Sequence, residues 1–275
     1  MTSARRWRNL PLHVVLIVGC GFAAFPFFWM VTTSFKNIYE ATSVPPVWFP
    51  SVWLWGNYIA AWNAAPFARY FLNTLLVGGC TTALDLVTGC LAGYALARVR
   101  FPGRNVIFFL FLATVMIPFE LLIVPDFIIV NRLGWYNTYL AQIAPFAASG
   151  FSIFLLRQFF AQIPGELYEA AVMDGAGHLR FLWQVAVPLS VPALVTTALF
   201  NFIASWNAFL WPLIVTGKQE LRPIQLGLSA FQNESGTNFQ LLMAGTTIVI
   251  LPVLLVFVLA QRHLIEGIAR AGLKG

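Results

Sequence analysis

Charged side chains are almost absent from six long stretches of this chain of 275 residues, and this pattern limits its fold more than any other feature. Asp, Glu, Lys and Arg are missing from, or occur only once in, residues 9–35, 70–97, 105–125, 133–156, 181–217 and 235–261. A helix needs about 20 apolar residues to cross the hydrocarbon core of a membrane. The pattern therefore predicts an all-α bundle of six transmembrane helices, near residues 11–34, 70–94, 106–128, 138–158, 190–214 and 241–261.

The basic residues predict the orientation of these spans, because six spans place both termini on the same side of the membrane. Eleven basic residues belong to segments on that side: Arg5, Arg6, Arg8, Arg98, Arg100, Arg104, Arg157, Arg180, Arg262, Arg270 and Lys274. Five belong to the other side: Lys36, Arg69, Arg132, Lys218 and Arg222. Since cytoplasmic loops are enriched in Lys and Arg, we expect a multi-pass protein of a bacterial or archaeal cytoplasmic membrane with both termini in the cytoplasm. This asymmetry explains the net charge of +6, which does not indicate nucleic-acid binding.

The spans also predict how the chain is organised. The expected segments are a cytoplasmic N-terminus (1–10), a first transmembrane helix (11–34), an external loop (35–69), a five-helix core (70–262) with a cytoplasmic loop at 161–189, and a cytoplasmic tail (263–275). The start could pass for a signal peptide, but its apolar run exceeds the roughly 7–15 residues of a signal core, so we interpret it as a retained helix. Tryptophans in the external loop suit a membrane interface, and a contact surface for an external partner is the alternative.

No residue pattern indicates a metal or nucleotide site. Cys20, Cys80 and Cys90 fall within predicted spans, where a free thiol behaves as a small apolar group. The three histidines are isolated along the sequence, and a GxxxxGK[ST] phosphate loop is missing. We therefore predict that this chain has no catalytic site, holds no metal and binds no cofactor itself.

Polar residues within the spans are candidates for a translocation path. Asp85 and Glu120 are ionisable groups at membrane depth, and such groups are functional candidates by default. Asn201 and Ser205 are four residues apart and so share a helical face, and Asn207 lies just beyond them among aromatic residues. Because polar groups in hydrocarbon need partners, these three residues would either hydrogen-bond a solute or link neighbouring helices.

Two further patterns concern the shape of the spans. Pro118 and Pro125 flank Glu120 in the third span and predict a kink there, since proline removes a backbone donor. Gly89 and Gly93 form a GxxxG pair, which lets another helix approach closely. The second span is therefore expected to pack inside the bundle.

The cytoplasmic loop is longer than a simple connection requires, and its residues predict two short helices. A first helix would begin at Pro164, where the missing N–H is not needed, and stop at the flexible Gly175 and Gly177. A second would run over residues 178–185 and end before Pro188. The alternative is an amphipathic connector lying on lipid, which favours Lys and Arg on its polar face. The first helix is instead acidic.

This loop resembles a known motif. Glu169-Ala170-Ala171, followed after three residues by Gly175 and then by Val185-x-Val187-Pro188, resembles the EAA loop of ABC importer permeases. Both spacings agree, and the two valines stand where that family usually has Ile and Leu. Other segments resemble the carbohydrate-uptake branch of the family, as in maltose and glycerol-3-phosphate importers: TSFK at 33–36, GYALARVRFPGR at 93–104, LGWYNTYL at 133–140, SWNAFLWPLIV at 205–215 and RAGLKG at 270–275.

The resemblance implies a type I ABC importer permease whose loop docks in a groove on a separate ATPase. The implied partners are a sister permease, two copies of the ATPase, which bind the ATP, and an external solute-binding protein. By this match the ATPase-coupling residues are Glu166, Glu169, Ala170, Ala171, Met173, Asp174 and Gly175. Glu169 would make polar contacts, the alanines and Met173 would fill the groove, and Gly175 would set the turn. Residues 272–275 are further candidates for the ATPase interface.

Three alternatives stay open at this point. The chain could be an ion-coupled carrier that uses Asp85 and Glu120, an integral membrane enzyme, or an ABC permease for a peptide or amino acid. Apart from Arg157 at the cytoplasmic end of the fourth span, the predicted spans contain no Lys or Arg, which favours a neutral sugar or polyol over an anion. Glycerol-3-phosphate or a glycerophosphodiester is the alternative substrate, and the sister permease could supply the binding site instead.

Overall fold

A computed structural model describes the backbone of residues 10–233 and 236–272 and the side chains of residues 12–232 and 236–261. Within these limits the regular structure is helical, apart from a short antiparallel pairing of Gln232–Asn233 (β1) with Gly236–Thr237 (β2). The predicted all-α class is confirmed. Some basic residues used to predict the orientation have side chains outside the described part: Arg5, Arg6, Arg8, Arg262, Arg270 and Lys274.

The helices follow one another along the whole described chain. In order they are α1 (Leu10–Ser34), α2 (Ile38–Thr42), α3 (Gly56–Asn63), α4 (Phe67–Arg98), α5 (Arg104–Val115), α6 (Phe119–Arg132), α7 (Tyr139–Ile143), α8 (Gly150–Gln162), α9 (Gly165–Met173), α10 (His178–Phe181), α11 (Val187–Leu189), α12 (Val191–Trp206), α13 (Leu210–Val215), α14 (Ile224–Gly227) and α15 (Phe239–Gly272). Short 3₁₀ turns cover Ala144–Phe146, Gln219–Leu221 and Leu228–Phe231, and a π-helical turn covers Leu182–Ala186.

Three of these helices are long and apolar enough to cross a membrane without a break. They are the stretch Leu12–Ser34 of α1, the whole of α4, and the stretch Phe239–Gln261 of α15. Each has more than the roughly 20 residues that a crossing requires. The first, second and sixth predicted spans are therefore confirmed as continuous helices. The exposed apolar side chains of α1, such as Ile17 and Phe22, suit a lipid environment.

The other three predicted spans are broken rather than continuous. The chain bends by 102° between α5 and α6, by 42° between the Tyr139–Phe146 segment and α8, and by 82° between the His178–Leu189 segment and α12. The two parts of each bent pair are long and apolar enough to cross a membrane only when they are taken together. The described chain therefore contains three candidate spans, or up to six if each bent pair forms one span. The expectation of a simple kink in the third span is thus corrected to a sharp turn.

Pro118 explains the position of the sharpest bend. It has an extended ψ of 133° immediately before α6, and proline has no N–H with which to continue the preceding helix. As a result α5 has 12 residues and α6 has 14, both too short to cross alone. Pro125 lies inside α6 and does not interrupt it.

The chain divides into two compact units, which are residues 10–67 with 228–251 and residues 68–227 with 252–272. In the first unit, aromatic rings pack around the end of α1, where Phe35 contacts Trp53 and Trp55 edge-on. Lys36 is buried there, with Nζ 3.1 Å from the Thr33 hydroxyl and 3.9 Å from the centre of the Trp29 ring. Burial in this aromatic setting lowers the pKa of Lys36.

In the second unit, α4 and α8 pack closely along the two glycines of the GxxxG pair. A Cβ atom added at Gly93 would lie 3.0 Å from the backbone nitrogen of Arg157, and one at Gly89 would lie 3.1 Å from Leu156 Cδ1. Real Cβ atoms rarely come so close to a neighbour. The predicted role of the two glycines in close helix packing is therefore confirmed.

Candidate coupling segment and translocation path

The first helix of the predicted cytoplasmic loop is present as α9. It begins directly after Pro164, whose φ of −56° suits the entry to a helix, and it ends at Met173. Glu166 lies in its first turn, where a negative charge interacts favourably with the helix dipole. Local sequence therefore accounts for both the position and the length of this helix.

A tight turn that depends on Gly175 ends α9. This residue has a φ of +80°, a backbone conformation that residues other than glycine rarely adopt. Its N–H donates to the Val172 carbonyl at 2.9 Å, and the Ala176 N–H donates to the Ala171 carbonyl at 2.8 Å. These two bonds form a Schellman motif. Gly177 differs, because its φ of −81° is open to any residue.

The second predicted helix is longer than expected. It starts at His178 as predicted, but the backbone stays helical through the π turn at Leu182–Ala186 and through α11 to Leu189. Pro188 lies at the start of α11, where its missing N–H needs no partner in the preceding turn. The prediction that this helix ends before Pro188 is therefore wrong, and the chain bends at Ser190 instead.

The outer face of α9 is exposed and combines acidic with apolar groups. Glu166, Glu169, Ala170 and Asp174 are exposed, and Met173 is 83% exposed. Two apolar residues that the motif did not single out, Leu167 and Val172, are also exposed.

Ala171 differs from the other residues of this predicted group, because it faces the inside of the chain. It is half-buried and packs with Tyr168 against a core cluster that includes Phe160 and Phe181. Its small side chain lets α9 lie close to its own core, and a contact of Ala171 with a groove on a partner stays a prediction.

His178 ties α9 to the long helix α4. Its Nδ1 atom lies 3.0 Å from the Tyr94 hydroxyl, and its Nε2 atom lies 3.2 Å from the Tyr168 hydroxyl. The rings of Tyr168 and His178 are also stacked, with centroids 5.2 Å apart. Sequence reasoning treated this histidine as isolated, since Tyr94 lies 84 residues away and no local pattern connects the two.

Arg98 anchors the chain just before α9. From the last turn of α4, its Nε donates to the Phe160 carbonyl at 3.0 Å, and its Nη2 donates to the Ile163 carbonyl. Carbonyl groups at the end of a helix have no partner within that helix. The guanidinium group thus provides hydrogen bonds to carbonyl groups at the end of α8. It also fixes the position of the chain just before α9 and α10, which together form the candidate coupling segment.

A cavity of about 140 Å³ lies within the second unit. Its lining residues are Thr74, Val77, Thr81, Gln142, Phe146, Asn201, Ala204, Ser205, Ala208, Trp211, Pro212 and Pro223. The Trp211 ring is held in place because its N–H donates to the Ala141 carbonyl at 2.8 Å. The wall therefore combines aromatic rings with hydroxyl and amide groups.

The structure brings only some of the predicted path residues together. Asn201 and Ser205 both line the cavity, as their shared helical face predicted. Asp85 is buried nearby, where it accepts a hydrogen bond from the Ser152 hydroxyl and faces the Asn201 side chain. Glu120 and Asn207 are exposed and do not line the cavity.

Two polar residues of the cavity wall, Thr81 and Gln142, escaped sequence reasoning. Thr81 lies four residues before Asp85 on α4, so its position on the same face was available as a signal. Gln142 comes from a short helix that no pattern predicted. Among the described residues, no three His, Cys, Asp or Glu side chains gather in a way that could hold a metal ion.

Comparison with known proteins identifies the family. Residues 86–270, more than half of the chain, match the family described as the inner membrane component of binding-protein-dependent transport systems. The chain belongs to this family. It is a permease, a membrane transport subunit rather than an enzyme, and a multi-pass membrane protein.

Several relatives match the permease over nearly its full length. It is 34% identical to the probable ABC transporter permease protein YurM of Bacillus subtilis, covering 98% of this chain and 88% of that protein. It is 33% identical to the diacetylchitobiose uptake system permease protein NgcG of Streptomyces coelicolor, covering 98% and 90%. It is 32% identical to the sn-glycerol-3-phosphate transport system permease protein UgpE of Yersinia enterocolitica, covering 98% of each.

Solved structures agree with this assignment. The permease superposes with a TM-score of 0.81 and 25% identity on a chain of a bacterial ABC transporter that imports the acidic polysaccharide alginate, covering 96% of this chain and 99% of that one. A chain of the alginate transporter in complex with a pentasaccharide-bound periplasmic protein has the same fold, with a TM-score of 0.67 at 14% identity, covering 94% of this chain and 95% of that one. The permease is therefore a subunit of an ABC importer, and neither a gradient-driven carrier nor a membrane enzyme.

Proposed function

We propose that the permease forms half of the transmembrane path for a neutral sugar or polyol and couples to a separate ATPase through α9 and α10. The observation that carries this proposal is the exposed face of α9. It presents the acidic Glu166 and Glu169 beside the apolar Met173. A polar rim around an exposed apolar centre is typical of a protein–protein contact.

The anchoring of α9 supports a mechanical role. Gly175 fixes the turn after it, His178 links it to Tyr94 of α4, and Arg98 holds the chain before it. Because these contacts join the segment to the membrane helices, a displacement of α9 by an ATPase would reach the translocation path.

The proposed topology has six spans, with each bent pair crossing the membrane once. Both termini and the 161–189 loop are then cytoplasmic. The chain bends near Pro118 and Ser190, and breaks of this kind are tolerated at membrane depth where they line a water-filled cavity. The basic residues close to the coupling segment, including Arg98, Arg104 and Arg180, support this orientation.

The proposed assembly contains this permease, a sister permease, two ATPase subunits that bind ATP, and an external solute-binding protein. The sequence contains no GxxxxGK[ST] loop of its own, so we assign ATP binding to the partners. The periplasmic protein bound to the alginate transporter supports the external partner. The resemblance proposes residues 272–275 as ATPase contacts, and of these residues 273–275 lie outside the described part of the chain.

The substrate class is proposed from the cavity. None of its lining residues is charged, which favours a neutral solute over a phosphate ester, because phosphate recognition relies on Arg, Lys or converging N–H groups. The relatives named for diacetylchitobiose and for sn-glycerol-3-phosphate are almost equally similar to this chain. Glycerol-3-phosphate is therefore the second candidate.

Substitution of Gly175 tests the coupling role. Gly175→Val forces a β-branched residue to a φ of +80°, whereas Gly177→Val adds the same side chain two residues later at a φ of −81°, with open space around it. We expect the ATPase to co-purify with the wild type and with Gly177→Val but to be lost from Gly175→Val. Full ATP-driven uptake by Gly175→Val would contradict the coupling role.

A further inference from the structure

Arginine side chains gather at one corner of the second unit, where α4 ends, α5 begins and α8 passes by. Arg157 of α8 donates from Nε to the Leu96 carbonyl of α4 at 3.2 Å. Arg104 of α5 donates from Nη1 to the Val99 carbonyl at 3.4 Å. Since Leu96 and Val99 are three residues apart where α4 ends, both guanidinium groups are held beside the same turn.

These positive groups have no acidic partner in the part of the chain that the structure describes. Arg104 and Arg157 contact backbone carbonyls and the Phe108 ring, whose centre lies 3.8 Å from Arg157 Cζ. Neither forms a salt bridge with a described residue, and the Arg100 side chain forms neither a salt bridge nor a hydrogen bond there. Arg104 and Arg157 also repel each other electrostatically. Like charges held close together are costly unless an anion neutralises them.

An open recess at this corner gives a ligand access to two of the arginines. Arg100 is exposed and Arg104 is half-buried, and each carries five N–H donors in a planar fork. Such forks bind the oxygens of a phosphate group in pairs. The recess therefore suits a phosphate, and Arg157 adds positive charge nearby. Its lining residues are Arg100, Phe101, Gly103, Arg104, Asn105 and Val106.

An apolar surface continues from the recess along α5. Val106 lines the recess and shares one face of the helix with Phe109, Leu110 and Ala113, which follow it at helical spacing. All four are exposed, Phe109 by 65% and Leu110 by 62%. With a rise of 1.5 Å per residue, Leu110 lies about 9 Å along the helix from Arg104. A ligand with an anionic head and apolar chains matches both parts, whereas a free anion or an acidic protein surface would leave the apolar face uncovered.

We propose that the recess binds the headgroup of an anionic phospholipid such as phosphatidylglycerol. Its phosphate would lie on Arg100 and Arg104, and its acyl chains would lie along the exposed face of α5. The inference rests on the topology of the proposed function, in which this corner is cytoplasmic, where basic clusters beside membrane helices attract anionic lipids. Because the phosphate offsets the repulsion between Arg104 and Arg157, bound lipid should also stabilise the fold.

The test uses the complete importer, purified in detergent from its native host and kept without ATP or solute. Three probes are added separately: phosphatidylglycerol, the zwitterionic phosphatidylcholine with the same acyl chains, and inorganic phosphate. Native mass spectrometry counts the bound lipid, and the thermal unfolding temperature is measured over the same titration. Arg104→Gln and Arg100→Gln each remove one guanidinium group from the recess. Arg132→Gln is the matched control, because Arg132 is exposed in the last turn of α6 and belongs to the proposed outer side.

We expect the wild type and Arg132→Gln to bind phosphatidylglycerol at least tenfold more tightly than phosphatidylcholine and to be stabilised by it. Arg104→Gln and Arg100→Gln should each lose about fivefold in affinity for phosphatidylglycerol, with no change toward phosphatidylcholine. If Arg104→Gln does not fold, Arg100→Gln decides, since its side chain has no hydrogen bond to lose within the described residues. Equal binding of the two lipids by the wild type, or full affinity in Arg100→Gln, would overturn the lipid site.

Two further results would assign the corner to another ligand. Inorganic phosphate that stabilises the wild type as strongly as phosphatidylglycerol would identify a site for a free anion and overturn the lipid assignment. Loss of the ATPase from both recess variants would identify a contact with that partner and would overturn it as well.

This inference and the proposed function fail in different ways. ATP-driven solute uptake by a wild-type importer that binds no phosphatidylglycerol would overturn only the lipid site. A wild-type complex that contains no ATPase but binds phosphatidylglycerol through Arg100 and Arg104 would overturn only the coupling role.

Discussion

The Tyr94 hydroxyl lies 3.0 Å from Nδ1 of His178, and this contact joins the membrane helix α4 to the first residue of α10. The other ring nitrogen of His178 lies 3.2 Å from the hydroxyl of Tyr168 in α9. One imidazole therefore connects both short helices of the proposed coupling segment to a helix that reaches the cavity wall through Thr81.

Removing the Tyr94 hydroxyl should weaken this connection. A hydrogen bond of this kind contributes about 0.5–1.5 kcal/mol, so Tyr94→Phe should lower the solute carried per ATP by roughly two- to tenfold. ATP hydrolysis itself should persist, because the ATPase sites lie on other subunits in the proposed assembly. Tyr39→Phe is the control, since Tyr39 is 83% exposed. An unchanged ratio of transport to hydrolysis in Tyr94→Phe would show that the contact is only structural.

Gly93→Val should disrupt the packing of α4 on α8. The added Cβ would lie 3.0 Å from the Arg157 nitrogen and 3.3 Å from the Ile153 carbonyl oxygen, and such overpacking costs about 1–3 kcal/mol. We expect a lower thermal unfolding temperature in detergent. Gly79→Val places the same residue on the same helix where nothing lies within 4 Å, so it corrects for helix propensity. Equal unfolding temperatures for the two variants would contradict the close approach.

Stability at acidic pH should depend on Glu40. A hydrogen bond from the Ser51 hydroxyl, supported by the Ser51 and Asn37 backbone N–H groups, lowers the pKa of Glu40 below its ordinary value of 4.5. Because the folded pKa is the lower one, the stabilisation is complete above the ordinary pKa and disappears as the pH falls through the folded value.

Glu40→Gln should therefore remove part of the acid sensitivity of the wild type. Unfolding temperatures measured from pH 7 down to about pH 3 should fall more steeply for the wild type than for Glu40→Gln. Asp174→Asn, which removes an exposed carboxylate from the turn after α9, serves as the comparison. Parallel curves for the wild type and Glu40→Gln would rule out this role of Glu40.

The features that sequence reasoning predicted correctly depend on local chemistry. Long stretches with at most one charged residue identified α1, α4 and α15, since a continuous apolar run leaves few alternatives to a spanning helix. Gly175 was predicted as a turn residue because its spacing from Glu169 resembles a known motif, and its φ of +80° confirms the turn.

The features that were missed depend on contacts between distant residues. Proline content indicated a break in the third span, but not a bend of 102°, because a kinked helix and a sharp turn share the same local sequence. Asn201 and Ser205 were placed correctly by helical periodicity. Gln142 was not predicted at all, because it shares the cavity wall with them only through the packing of α7. Asn207 lies just beyond the end of α12 at Trp206, outside the cavity wall, and its side chain accepts a hydrogen bond from Gln225.

The hydrogen bonds from Arg98 to the Phe160 and Ile163 carbonyls have a mechanical consequence. They join the end of α4 to the end of α8, and the same two helices also pack closely around Gly93 and Gly89, which precede Arg98 by five and nine residues. With two separated points of attachment, the pair resists sliding and pivoting against each other. A force applied to α9 should therefore rotate α4 and α8 together as one rigid body. Most of the deformation should then occur at the bends beside Pro118 and Ser190.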